Sequence, residues 1–418
     1  MSLRHFLASA AIAAGSFFVV PLSAMAQQVE PEEVVAHFAD LALATYKDAV
    51  SSAETLKDDV SALLREPTQD NYDKARESWQ TARIVYKQAE LFRYASAQMA
   101  DLSHRVDAHP IDEGFLDYVG NGYTPSPDNP YARFDLIAQP EISINGETFS
   151  WDDMSADFIR DKLNFAGGNE HNVAAGFAAI EFLLWGEDNG EGERGEGNRP
   201  LSDFDIANCP DASCNHRGTY LLSAIELLAA DLSNMANKWD VTGSARATFI
   251  ENPDQALNHI LSAIGSVADV ELVQNNFEAG LNGSDPQAEL DTFSDYGYAS
   301  HLLAARGILN TYLGEYYTLD GDALEGASLA DLVAGTDADL DKEFRLAISV
   351  TAVRMRALIR YVRDDMPLDD VYASKDPDGV EKIEEVVAAL HHEADLAAKA
   401  ADALGIGPVS FGPPMSTN

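Results

Sequence analysis

From Pro31 to Arg65 apolar residues recur every three or four positions (Val35, Phe38, Ala39, Leu41, Leu43, Tyr46, Val50), the period of a helix that buries one face. EPTQD, with Pro67, breaks that pattern, and the same period returns from Gln69 to Met99. Residues 104–168 have another texture, with prolines at 110, 125, 127, 130 and 140 among many glycines and aspartates, which predicts a long irregular connection. Helical spacing resumes at Asn172–Trp185, apolar on almost every side, and at Arg217–Trp239. Four more helical segments follow, at about 253–280, 296–317, 337–363 and 378–404, while alternating β runs are scarce. The pattern predicts an all-α chain of two four-helix-bundle-like halves, residues 27–245 and 246–418, with the irregular connection inside the first half.

Residues 1–26 change the picture of where the chain works. Arg4 and His5 precede an apolar stretch from Phe6 to Leu22, and Ala24-Met25-Ala26 is a small-x-small cleavage site, so the reading is a signal peptide cut after Ala26 and a periplasmic mature protein. No Cys follows the site for lipid anchoring, and no later apolar run reads as a membrane span. Asp and Glu outnumber Lys and Arg by 69 to 28, a formal charge of −41, which argues against binding to nucleic acid or anionic lipid through a basic surface and makes cations the plausible small partners. An acidic surface also serves solubility, so the total charge alone assigns nothing.

Particular residues carry more. Glu181 sits in GFAAIEFLLW, and its helical neighbours Phe177, Ala178, Leu184 and Trp185 offer it no partner, so one must come from elsewhere in the fold. Cys209 and Cys214 in CPDASC suit a small local disulfide, with a metal clip involving His216 as the other reading. Asp337, Asp339 and Asp341 alternate as in a calcium loop, but Lys342 stands where such a loop needs Gly, and Thr336 before acids reads as a helix N-cap. His391, His392 and Asp395 lie on a late helix without a third ligand in view and read as a solvated face.

WQTARIVYKQAELFR (79–93), HPIDEGFLDYV (109–119), NVAAGFAAIEFLLWGED (172–188), GNRPLSDF, HRGTYLLSAIELLAADL and FSDYGYASHLLAARGILNTYLGEY together resemble the imelysin family, also called the M75 peptidase family, and within it the iron-regulated protein A type. The resemblance implies two helical bundles, export, a role in bacterial uptake of iron or a related metal, and a site between the halves around a Gly-x-His-x-x-Glu motif. His and Glu at i and i+3 present a nitrogen and an oxygen from one helix face to a transition metal. This chain departs from that pattern: Gly176 and Glu181 are present, but Ala178 replaces the histidine, and FSDYGY places Tyr298 where the family has a second histidine. His171 lies two turns before Ala178 along the same face, about 10 Å away by helical rise and too far to substitute, whereas His301 approaches if its segment is helical.

The remaining candidates are Glu90, Glu181 and Asp295 as metal ligands, with Arg83, Arg93 and Tyr298 beside them, a set suited to iron or another divalent cation. The competing reading is that Arg93 neutralises Glu90 or Glu181 in a buried ion pair that holds helices in register. Three functions follow: binding of a metal ion or metal chelate in the inter-bundle cleft, an M75-type metallopeptidase, or a partner protein of outer-membrane or periplasmic uptake components that binds no ligand itself. The sequence contains no His-Glu-x-x-His and no recognisable nucleophile arrangement, which counts against the peptidase. An exposed apolar patch in place of a polar cleft distinguishes the partner protein.

Overall fold

The computed structural model describes residues 29–188, 196–209, 212–283 and 290–413; the predicted signal peptide and part of the Gly-rich acidic loop fall outside them. The first helix, α1, spans Pro31–Arg65, opened by Pro31 and a capping box in which the Glu30 and Glu33 side chains each satisfy a backbone N–H of the first turn. The expected second helix, Gln69 to Met99, is broken in two. Helix α2 (Gln69–Lys87) stops, and a short α3 (Glu90–Ala95) restarts after Gln88 and Ala89. Nothing local such as Gly or Pro marks that break. Gly307, from a later helix, lies against it so closely that a Cβ there would sit 2.7 Å from the Gln88 carbonyl oxygen.

After α4 (Ala100–Val106) the chain runs irregularly, as its prolines predict, with short turns and one antiparallel hairpin, β1 (Ile142–Ile144) and β2 (Glu147–Phe149). Helix α5 (Gly176–Trp185) is buried at every position except Ala178. His171 therefore lies in the preceding coil, not on that helix. Cys209 and Cys214 form a disulfide, and His216 stacks on Trp151 at 3.9 Å and bonds the Ile137 carbonyl, so the metal-clip reading falls. Helix α6 (Ser213–Trp239) packs along α1, α5 packs on α6 and α2, and a short helix α7 (Ser244–Ile250), absent from the sequence prediction, fills the turn to the second half.

That half begins with α8, Pro253–Gly265, which continues through a wider-wound Ser266–Glu278 segment to Asn282. Contrary to the sequence reading, this 30-residue run is long and apolar enough to cross a membrane, but 72% of its most apolar window is buried inside the fold. Helix α9 (Gly297–Leu313) ends at Gly314 and gives way to a second hairpin, β3 (Glu315–Tyr317) and β4 (Ala323–Glu325), four residues before the predicted end. Helices α10 (Leu329–Thr336), α11 (Ala338–Asp364), α12 (Leu368–Ser374) and α13 (Pro377–Leu404) complete the chain. The N-cap of α11 is Asp337, which accepts from the Asp339 and Leu340 amides; Thr336 closes α10 instead. Helix α13 packs on both α8 and α11, α9 lies on α11, and α8 and α9 reach back to α3 and α2, so one buried apolar cluster runs through both halves.

Candidate functional site

Where α2, α3 and α5 meet the second half, a chain of buried charged groups crosses the junction. Arg83 on α2 is paired with Asp107, and its Nε donates to Asp291 Oδ1 at 2.7 Å. One turn on, Lys87 Nζ lies 2.5 Å from Glu90 Oε2 and 3.2 Å from Asp107 Oδ2. Glu90 is also paired with Arg93, whose Nη2 stands 2.9 Å from Glu271 Oε2 on the wide-wound part of α8. Tyr94 Oη donates to the same Glu271 oxygen at 2.7 Å. At the other end Glu181 Oε1 accepts from the Ser294 amide at 2.9 Å and from its hydroxyl at 2.6 Å. The pairings run Glu271, Arg93, Glu90, Lys87, Asp107, Arg83, Asp291, and the Asp291–Ser294 coil then meets Glu181.

The backbone around these groups explains how they are held. Gly176 opens α5 at φ 79°, where a Cβ would sit 2.4 Å from the Val106 carbonyl oxygen, so this glycine allows the helix carrying Glu181 to butt against the end of α4. Asp291 and Asp295 both take left-handed conformations, φ 54° and 50°, folding the coil so that Ser294 faces Glu181 while Asp291 faces Arg83 and accepts from the Ser300 hydroxyl. Trp79 Nε1 donates to the Phe177 carbonyl at 3.1 Å, and the Arg83 guanidinium lies 5.1 Å from the Phe177 ring, tying α2 to α5.

Electrostatics divide the carboxyls. Burial alone would raise Asp107, but Arg83 and Lys87 outweigh it and hold the group below the usual carboxylate range. Glu271 behaves likewise, pulled down to about 2 against burial by Arg93 and Lys87. Glu181 goes the other way. Burial and the neighbouring Asp291 charge push it well above its ordinary value, against the Ser294 hydrogen bonds and Arg83. Five carboxyls thus face three cationic side chains, and Glu181 is the one whose charge burial and Asp291 disfavour most.

The predicted residues are distributed along this chain rather than gathered at one point. Arg83, Arg93 and Glu90 are inside it, Glu181 ends it, Asp295 sits partly buried in the adjoining coil, and Tyr298 packs its ring against Tyr296 at 5.7 Å. Arg93 neutralises Glu90, as the competing reading expected, but the group that faces Glu181 directly is Ser294. His301 does approach. It is on α9, buried against Phe277 with no hydrogen bond to either nitrogen, and burial together with Lys87 lowers it to about 3, so it is neutral. Sequence reasoning missed Lys87, Asp107, Glu271 and Asp291. Glu271 carried a weaker signal than Glu181: Val267 and Ala268, one turn back on its face, are apolar, but Asp269, Gln274 and Asn275 lie close by in sequence.

This donor set does not fit a metal. Both Glu90 oxygens are engaged by cations, burial and Asp291 disfavour a charge on Glu181, and Ala178 stands in place of an imidazole. Among the described residues no three His, Cys, Asp or Glu side chains are grouped to hold a metal ion.

Comparison with known proteins decides the relationship: the imelysin (peptidase M75) profile matches residues 42–397. The chain belongs to the imelysin family. Among the solved structures similar to it, two illustrate the shared fold. One, named an iron-regulated protein A precursor, from Parabacteroides distasonis, superposes with a TM-score of 0.65 at 19% identity, over 92% of this chain and 97% of that one. The other, an imelysin-like protein from Psychrobacter arcticum, gives 0.59 at 15% identity, over 94% of this chain and 100% of that one. No curated protein matches the chain. Within the imelysin fold, then, this member carries an ion-paired junction at the motif position.

Proposed function

We propose that this imelysin-family chain works in the periplasm in the uptake of iron or a related metal, as a partner protein of other uptake components rather than as a peptidase. In this reading the motif position locks the two halves together and does not coordinate the metal. The observation that carries the reading is the engagement of Glu90 by both Lys87 and Arg93, with Glu181 bonded to Ser294, because a metal on Glu90 would have to displace two buried cations from a carboxylate they share. The leader-like residues 1–26 and the iron-regulated name of a structural relative support the setting. Capture of a metal ion or chelate by Glu90, Glu181 and Asp295 with Arg83, Arg93 and Tyr298 is the alternative, and the pairing weighs against it.

Iron accumulation by cells lacking this protein tests the proposal. Accumulation is expected to fall, to be restored by the full chain and equally by Glu181→Gln, and not to be restored by a form without residues 2–26. Unchanged accumulation in the deletion, rescue by the leaderless form, or failure of a folded Glu181→Gln would each overturn it.

A further inference from the structure

Helix α11 is unusual for so acidic a chain. Of the 28 Lys and Arg residues, six lie between Lys342 and Arg363, and 354–363, RMRALIRYVR, holds four arginines and no acid. Its earlier bases are neutralised close by, Lys342 by Asp339, Arg345 by Asp341 and Arg354 by Glu385. Arg356, Arg360 and Arg363 are exposed, and none forms an ion pair within 4.0 Å among the described residues. In a protein of charge −41 with acids to spare, three adjacent arginines left unpaired are available to something else.

The same outward face is apolar further up the helix. Leu346, Val350 and Val353, at i, i+4 and i+7, are 64%, 39% and 59% exposed, against the rule that a helix buries such a stripe. Beside them a groove of about 220 Å³ opens between α11 and α13, lined by Leu346, Ala347, Val350 and Ala389 together with Glu343 and His392, which stand 3.6 Å apart. At 1.5 Å per residue, Leu346 to Arg363 spans about 25 Å, and positions 346, 350, 353, 356 and 360 fall within one side of the helix.

We infer that this face of α11 is a docking surface for another protein's amphipathic helix, one that places apolar side chains in the α11–α13 groove and carboxylates on Arg356, Arg360 and Arg363. The inference rests on the partner-protein reading above. Charge complementarity fixes the partner as acidic, and the groove fixes it as a protein segment, since apolar anchors spaced a turn apart fill such a trough while a flat lipid surface leaves it empty. A second copy of this chain brings its own −41, which opposes self-association.

The test uses the mature chain and a fluorescent helical peptide of about 18 residues with leucines at i, i+4 and i+7 followed by glutamates, beside the same peptide with lysines, since such a length matches the face. The glutamate peptide is expected to bind saturably, to lose about tenfold or more in affinity with Arg356→Glu/Arg360→Glu/Arg363→Glu or with Leu346→Ser/Val353→Ser, and to weaken in salt. The lysine peptide is expected to bind the arginine-reversed variant instead. All five positions are exposed or partly exposed on one helix, and circular dichroism checks that the variants fold. No binding of the glutamate peptide, or equal binding of both peptides, overturns the inference. So do binding to phosphatidylglycerol vesicles without peptide binding, which assigns the face to lipid, and a dimer dispersed by the same variants, which assigns it to a second copy. Iron accumulation separates the two proposals: full rescue by the arginine-reversed variant would sink the docking face and leave the uptake reading standing.

Discussion

Single buried carboxyls in this fold have different fates according to what faces them. Glu271 has Arg93 and Tyr94 and stays ionised, whereas Glu393 on α13 is buried with only the Thr351 hydroxyl to offset the loss of water. Burial therefore pushes Glu393 up to about 7. In the unfolded chain the group ionises near 4.5, so between these values only the folded state keeps the proton. Its contribution to stability is full below about pH 4.5 and lost as pH rises through about 7, roughly 3 kcal/mol in all. Glu393→Gln, which cannot ionise, is expected to gain about 2–3 kcal/mol on the parent between about pH 5.5 and about pH 8 in denaturant unfolding. An unchanged difference between the two pH values would show that Glu393 is solvated or paired.

At the scale of elements, the helices were legible and their interruptions were not. Periodicity located α1, α5, α6, α8, α11 and α13 because each buries a stripe or a whole surface, and the prolines of 104–168 announced the irregular connection. The break at Gln88 had no local signal, since it is set by α9 crossing at Gly307. That Glu181 needed a partner was readable from GFAAIEFLLW, but the partner was not: Ser294, 113 residues away in sequence, meets it through a backbone amide set between two left-handed aspartates. Gly176 belongs to the same level. Its φ of 79° and its contact with the Val106 carbonyl predict that Gly176→Ala costs more than about 2 kcal/mol and separates α5 from α4, because the chain must both adopt a strained conformation and retreat from backbone. A melting temperature within a degree or two of the parent's would mean that this close approach is not what the motif glycine provides.

For the whole molecule, the junction network runs beside the shared apolar core and pairs N-terminal helices with C-terminal segments across sequence separations as large as 208 residues, between Arg83 and Asp291. Such a buried chain adds little net stability over an apolar interface, but losing any one partner strands a charge, so it specifies how the halves meet. It also uses the lone pairs that a metal would need, which separates this chain from the His-x-x-Glu arrangement its family resemblance implies. Calorimetric titration of the mature protein and of Glu181→Gln with ferrous, ferric, zinc, copper and calcium ions tests that claim most directly. The ion-paired junction predicts superimposable heats for the two proteins with every ion, any weak signal coming from the acidic surface; stoichiometric binding by the parent that Glu181→Gln abolishes would contradict it.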